Sequence, residues 1–282
     1  REAVQNRKNL DCLVEKKFLG EPVKQKAYQS FIEVYLDFGQ KNDGVSNYNK
    51  RLDMDKAIAT VEYDYDGVHF LRESLASFPD QTVATKVSAD KNGVLNFKAE
   101  LHTFHNNENC SPEWRKISDN EIALTAKVQD GNKKGEVGNE SKIKFEARLI
   151  INSDNAEISV SDDCKSINVS DGTEVYIYVV GASNYIDFIT LDDSKPEKDC
   201  EMYSKNVLSK NYDDIKKSHI EDYQVLFNKS SLTIENQSDR DFGAIQTQER
   251  SRAPLSDGKS GYTIGDGNKK LKSTFSEGDN SL

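Results

Sequence analysis

Four histidines occur in the chain: His69, His102, His105 and His219. Histidine suits acid–base work and metal binding near neutral pH, so these positions come first. His102 and His105, with Glu108 and Cys110 close behind, have the residue types of a metal cluster. They also follow an alternating stretch, where a polar loop is the simpler reading. His219 falls on the apolar stripe of an amphipathic segment and reads as a core histidine. Asp64 and Asp66 form a carboxylate pair of the kind glycoside hydrolysis uses. They flank Gly67, however, and Asp is expected at a hairpin tip for turn reasons. Trp114, the one tryptophan, reads as part of a loop with Pro112 and has the surface to stack on a sugar or to pack locally. The sequence holds no H-E-x-x-H, no G-x-S-x-G and no Walker-type loop. Cys12, Cys110, Cys164 and Cys200 include no C-x-x-C, so zinc spacing is absent. They leave three disulfide pairings, or free thiols, open. The residues alone therefore assign no catalytic, cofactor-binding or metal-ligating position.

The elements that would position these residues are mainly strands. Ile32, Val34, Leu36 and Phe38 share one face of 31–38, and Ala57, Ala59, Val61, Tyr63 and Tyr65 repeat the pattern. Asp66-Gly67 predicts a tight hairpin turn, and the chain returns through 68–78. Further strands are expected at 81–89, 94–102, 121–128, 141–152, 156–161 and 173–180. Within 141–152, Ile143, Phe145, Ala147, Leu149 and Ile151 alternate with Lys142, Lys144, Glu146 and Arg148. This predicts one dry and one wet face, as in an antiparallel sheet. Turn signals recur at Asp43-Gly44, Asn92-Gly93, Asp130-Gly131 and Asp171-Gly172. Many strands with no helices between them predict an antiparallel β-sandwich.

Helices are expected only at the two ends of this region. Leu10, Leu13, Val14 and Phe18 have helical spacing, and Gly20 and Pro22 stop the run. A short helix at about 199–208 precedes a strongly amphipathic one carrying Tyr212, Ile215, His219, Ile220, Tyr223, Leu226 and Phe227. Residues 231–235 read as extended. If the inner stripe packs on the sandwich, Phe227→Ala is expected to cost about 3–5 kcal/mol, and well under about 1 kcal/mol otherwise.

Composition removes several function classes. The chain has 282 residues, 35% hydrophobic and 30% charged, with 12 Tyr and 12 Phe. That is polar, but sufficient for a core. The net charge of −10 repels phosphate backbones, which argues against nucleic-acid partners. The longest apolar run, Val175-Tyr-Ile-Tyr-Val-Val180, is far below the ~20 residues of a membrane span. Asn139, Asn168, Asn228 and Asn236 open N-x-S acceptor patterns, which arise readily by chance in an Asn- and Ser-rich chain. The opening Arg1 and the lack of a signal-like segment read as a processed chain or a piece of a longer one.

Three stretches carry a family resemblance. They are Phe31-Ile-Glu-Val-Tyr-Leu-Asp-Phe38, the segment 48–63 (Tyr48-Asn-Lys-Arg-Leu-Asp-Met-Asp-Lys-Ala-Ile-Ala-Thr-Val-Glu-Tyr63), and Asp66–Gln81. In this order they resemble the N-terminal β-sandwich domain of glycoside hydrolase family 95, the α-L-fucosidases. The likeness continues through Lys144–Leu149 and Val175–Asn184. It also takes in His219–Phe227, which is similar to the family's helical linker, and covers about residues 1–250. The family's "lGNGrlGAmv" motif is not found. Thr247-Gln-Glu-Arg250 matches the element that precedes its catalytic (α/α)6 barrel, and the resemblance ends there.

The resemblance implies a mainly β chain: an antiparallel supersandwich domain over 1–198 and a helical linker with a return strand over 199–250. Beyond it, the five Gly and six Ser of 251–282, with scattered apolar residues, read as a loose tail. The resemblance also implies inverting hydrolysis of α-1,2-linked L-fucose on fucosylated oligosaccharides, with no cofactor and no metal. None of the barrel's catalytic residues lies in this sequence, so the chain alone is expected to be inactive. A secreted or periplasmic location is what the family favours. The alternative is a non-catalytic carbohydrate-binding or protein-interaction sandwich module.

Overall fold

The computed structural model describes residues 30–106, 110–129, 141–187, 189–229, 263–266 and 269–272, together with Val14. The chain divides into two units, Arg1–Ser231 and Leu232–Leu282. In the second unit, β13 (Thr263–Asp266) pairs antiparallel with β14 (Lys269–Lys272). The expected opening helix lies outside the described residues, apart from Val14, which is helical. The expected extended stretch 231–235 and the turn at Asp130-Gly131 also lie outside them.

The first unit is a sandwich of two antiparallel sheets, as the alternation predicts. Its smaller sheet has the order β1 (Glu33–Asp37), β6 (Leu95–His102), β11 (Ser166–Gly172) and β10 (Glu157–Val160). The larger sheet has eight strands. Their order is β2 (Val45–Asp53), β3 (Ile58–Tyr65), β4 (Val68–Ser77), β5 (Thr82–Ala89), β12 (Glu174–Ser183), β9 (Lys144–Asn152), β8 (Glu121–Lys127) and β7 (Glu113–Ser118). Leu95, Phe97, Ala99 and Leu101 of β6 and Ile167 and Val169 of β11 meet Ile122, Leu124, Leu149, Ile151, Val175 and Ile177 in the inter-sheet core.

The β3–β4 hairpin turns at Asp66 (φ 50°) and Gly67 (φ 68°), the left-handed pair that a two-residue turn needs. Asp171-Gly172 is not a hairpin tip. It ends β11 at a bulge, and the chain crosses to the larger sheet through Thr173 alone. A Cβ on Gly172 would lie 2.9 Å from Val175 Cγ2, so the corner admits no side chain.

Two helices cover the outer face of the larger sheet. α1 (Lys195–Leu208) starts four residues before the expected helix and takes Pro196 into its first turn, where proline's missing N–H costs nothing. α2 (Tyr212–Phe227) is capped by Asn211, whose side chain accepts the Asp214 N–H, with Asp213 and Asp214 favourably placed in its first turn. Cys200 and Val207 of α1 and Tyr212 and Ile215 of α2 bury against Ile58, Leu75, Ala84, Ile150, Tyr178 and Val180.

This covering corrects one expectation. Apart from its terminal residues, β9 is buried on both faces. Glu146 and Arg148, read as a wet face, lie beneath α1.

Candidate functional site

The residues singled out for chemistry turn out to be engaged in holding the fold. His105 is buried. Its Nε2 lies 2.9 Å from the Ser30 carbonyl, and its Nδ1 accepts the Gln129 N–H at 2.9 Å. That geometry describes a neutral ring donating from Nε2, which ties three loop segments together. His102 sits on the exposed end of β6, 2.8 Å from Glu100 and edge-on to Tyr35. Glu108 lies outside the described residues, and among those described no group of His, Cys, Asp and Glu side chains could hold a metal ion.

Asp64 accepts from Asn47 Nδ2 and pairs with His69 Nδ1 at 2.7 Å. These bonds hold its carboxyl below the usual range and raise the His69 imidazole. Asp66 is a turn residue, so the two aspartates do not face a common cleft. Trp114 lies in β7, not in a loop. Its Nε1–H donates to the Leu101 carbonyl at 2.9 Å, its ring packs on the core, and Lys165 covers it at 4.8 Å. A ring so occupied is a peg between sheets, not a sugar platform. Cys164 and Cys200 are free thiols, and burial pushes Cys200 up to about 12. A thiol held that high is a poor nucleophile.

A cluster of buried and half-buried charges lies beneath α1. Arg148 donates from Nε to Glu146 Oε1 at 2.6 Å and from Nη1 to Glu121 Oε1 at 3.1 Å. Arg115 Nη2 reaches Glu146 Oε2 at 2.9 Å and Glu197 of α1 at 3.1 Å. Ser204 of α1 donates to Glu121 at 2.9 Å. Burial works against the Arg148 charge, but the two glutamates outweigh it and raise its pKa. Each carboxylate faces an arginine, and neither lines either of the two cavities described below. The cluster therefore clamps a helix.

A second clamp holds α2. Asp80, buried in the β4–β5 turn, accepts from Ser77 Oγ at 2.6 Å, Ser218 Oγ at 2.6 Å and Lys210 Nζ. Burial alone would raise its pKa, but these three donors together lower it. A carboxyl depressed on folding stabilises fully above its unfolded pKa of ~3.9, and that stability is lost as pH falls through the folded value. The wild type is therefore expected to lose part of its stability only below about pH 4. Asp80→Asn should be less stable at pH 7 and flatter with acid, as measured by denaturant midpoints across pH. Equal acid dependence in the two proteins would remove Asp80 from this role.

Among the described residues, the first unit has at least two cavities. One of about 200 Å³ is polar, lined by Glu73, Lys86, Tyr212, Asp213 and Lys216 among others, and Lys216 is paired with Glu73 at 2.8 Å. The other, of about 420 Å³, lies between the sheets beside β1 and is mainly apolar. Neither pairs a free acid with a free base. No local sequence signal marks this second cavity, because its walls come from six strands spread over residues 32–179.

Comparison with known proteins gives a consistent picture. The model of the glycosyl hydrolase family 65 N-terminal domain matches residues 1–187. Alpha-L-fucosidase 2 of Arabidopsis thaliana is 28% identical over 260 residues, which is 84% of this chain and 30% of that protein. The probable alpha-fucosidase A of Aspergillus niger is 24% identical over 227 residues, 77% of this chain and 27% of its own length. The chain thus spans less than a third of these curated relatives. Among solved structures, the family 92 α-mannosidase of Bacteroides thetaiotaomicron is similar at 14% identity and a TM-score of 0.37, over 66% of this chain and 26% of that one.

Proposed function

Because the chain belongs to the glycosyl hydrolase family 65 N-terminal domain family, we propose that it serves as the non-catalytic β domain of an α-fucosidase-like glycoside hydrolase acting on fucosylated glycans. The α-fucosidase matches over most of this chain carry the reading. It is supported by the commitment of Glu121, Glu146, Asp64 and Asp80 to structural partners, which takes these four out of use as an acid and base flanking a cleft. In this reading the chemistry is the inverting hydrolysis of α-1,2-linked L-fucose implied by the family 95 resemblance, performed by a catalytic barrel with no metal or other cofactor. The sandwich of about 1–198 is a scaffold, the segment 199–250 is its helical linker, and 251–282 is a tail.

The purified chain is expected to release no fucose from a 2′-fucosylated oligosaccharide at any pH between 4 and 8, the range over which a carboxylate pair would act. Turnover that persists through rigorous purification would place an active site within this chain and overturn the proposal.

A further inference from the structure

The cavity of about 420 Å³ between the sheets combines three features that the fold itself does not use. First, β1 forms one end of the smaller sheet, so among the described residues its outer edge presents unpaired backbone groups. Second, the larger sheet continues past that edge. Ile32, Val34 and Leu36 form one wall, and Val61, Val83, Ile177 and Val179 contribute to the floor. Tyr48, Leu52 and Val83 on this face remain exposed.

Third, the floor carries two cations, Lys50 and Arg72, and neither makes a hydrogen bond or ion pair among the described residues. They are not scattered. Lys50 pairs with Val61 and Val61 with Arg72, giving one cross-strand row. The next row along is Ala59, Ser74, Thr85 and Ile177, and the one beyond it holds Val83 and Val179. The rows are two residues apart, about 7 Å, which is the spacing of same-face side chains in a strand.

We propose that this groove is a docking site for an extended segment of a partner polypeptide, which adds to the free edge of β1. The segment presents an acidic side chain to the Lys50–Arg72 row and apolar side chains to the two rows beyond it. Edge pairing supplies backbone hydrogen bonds, and the alternating pockets supply selectivity. The carboxylate is required because a strand that covered Lys50 and Arg72 without one would bury unpaired charge. Such a segment reads acidic–x–apolar–x–apolar, in one chain direction or the other.

The test uses the full chain and fluorescein-labelled hexapeptides read by polarisation: Glu-Thr-Val-Thr-Val-Thr, its reversed sequence, and the two counterparts with Lys for Glu. One acidic peptide should bind saturably, and its Lys counterpart should bind roughly tenfold more weakly or worse, as loss of a charged hydrogen bond requires. The double variant Lys50→Glu, Arg72→Glu should reverse that preference. Lys50→Glu alone, on an exposed edge strand, should weaken it if the double variant does not fold. Saturable binding of neither acidic peptide, or equal binding of acidic and basic peptides, would overturn the proposal. So would a wild-type dimer in light scattering that the same substitutions dissolve, since the occupant would then be a second copy of the chain.

Discussion

Arg148→Ala is expected to destabilise the first unit by about 3–5 kcal/mol, the cost of removing one member of a buried ion group. Glu146 is 1% exposed and Glu121 6%, so truncation strands two carboxylates in a low-dielectric layer beneath α1. Arg115 still contacts Glu146, but Glu121 keeps only the Ser204 hydroxyl. The cost comes from the orphaned charges and not from the strength of the pairs. The triple variant Arg148→Met, Glu146→Leu, Glu121→Leu should therefore recover most of the loss, since an apolar replacement of the whole group is often neutral or better. Urea denaturation with m-values compared across the variants measures both. A cost below about 1 kcal/mol for Arg148→Ala would mean that water reaches the cluster.

The second large effect lies on α2. Ile215 is fully buried among Leu75, Ala84, Tyr178 and Val207, and Ile215→Ala should cost about 2–5 kcal/mol. Phe227→Ala should cost less than about 1 kcal/mol. This corrects the expectation that Phe227→Ala would cost about 3–5 kcal/mol once the inner stripe packs. The stripe does pack, through Tyr212, Ile215 and His219, whose Nε2 donates to the Lys56 carbonyl at 3.0 Å. The helix then runs past the sheet edge, and Val225, Leu226 and Phe227 are 63%, 65% and 40% exposed. Phe227 keeps only a stacking contact with Tyr223 at 5.1 Å among ring contacts. Parallel denaturation of the two variants checks this. Equal losses would mean that the last turn of α2 is buried in solution.

The inner strands were legible in sequence because one or both of their faces are dry. β3, β4, β5, β6 and β12 all fall within a few residues of the alternating stretches. Two missed strands, β2 and β7, are the two edges of the larger sheet. Each carries a register shift, at Ser46/Asn49 and at Lys116/Ser118. Polar side chains and bulges protect an edge, and they also erase the period that would reveal it. The third, β11, is held by Ile167 and Val169 with a bulge near its end, too few apolar positions to show a rhythm. Trp114 was placed in a loop for the same reason.

β9 misled in the opposite way. Its alternation of Glu146 and Arg148 with apolar residues is what a wet face looks like. Only the arrival of α1, whose Ser204 and Glu197 belong to the same cluster, makes that face an interior. Of the sites, the turn role of Asp66 and the core role of His219 could be read from the sequence. The cation row of Lys50 and Arg72 could not, because register across three strands is a property of the pairing and not of any one segment.

The place of β12 in the larger sheet has a consequence for how the chain is made. β2 to β5 form a meander of neighbours, and β7 to β9 form another, but the two touch only through β12, which pairs with β5 on one side and β9 on the other. A ribosome that has released residues up to Asn152 has therefore made two partial sheets, each ending in a long unpaired strand. The inter-sheet core cannot close until Ser183 emerges, and the outer face stays bare until α2 follows. Synthesis from the N-terminus thus carries an interval in which β5 and β9 are open to any other strand, the condition under which nascent chains misassemble. Slow translation between β9 and β12 should lower the soluble yield more than an equal pause placed after α2.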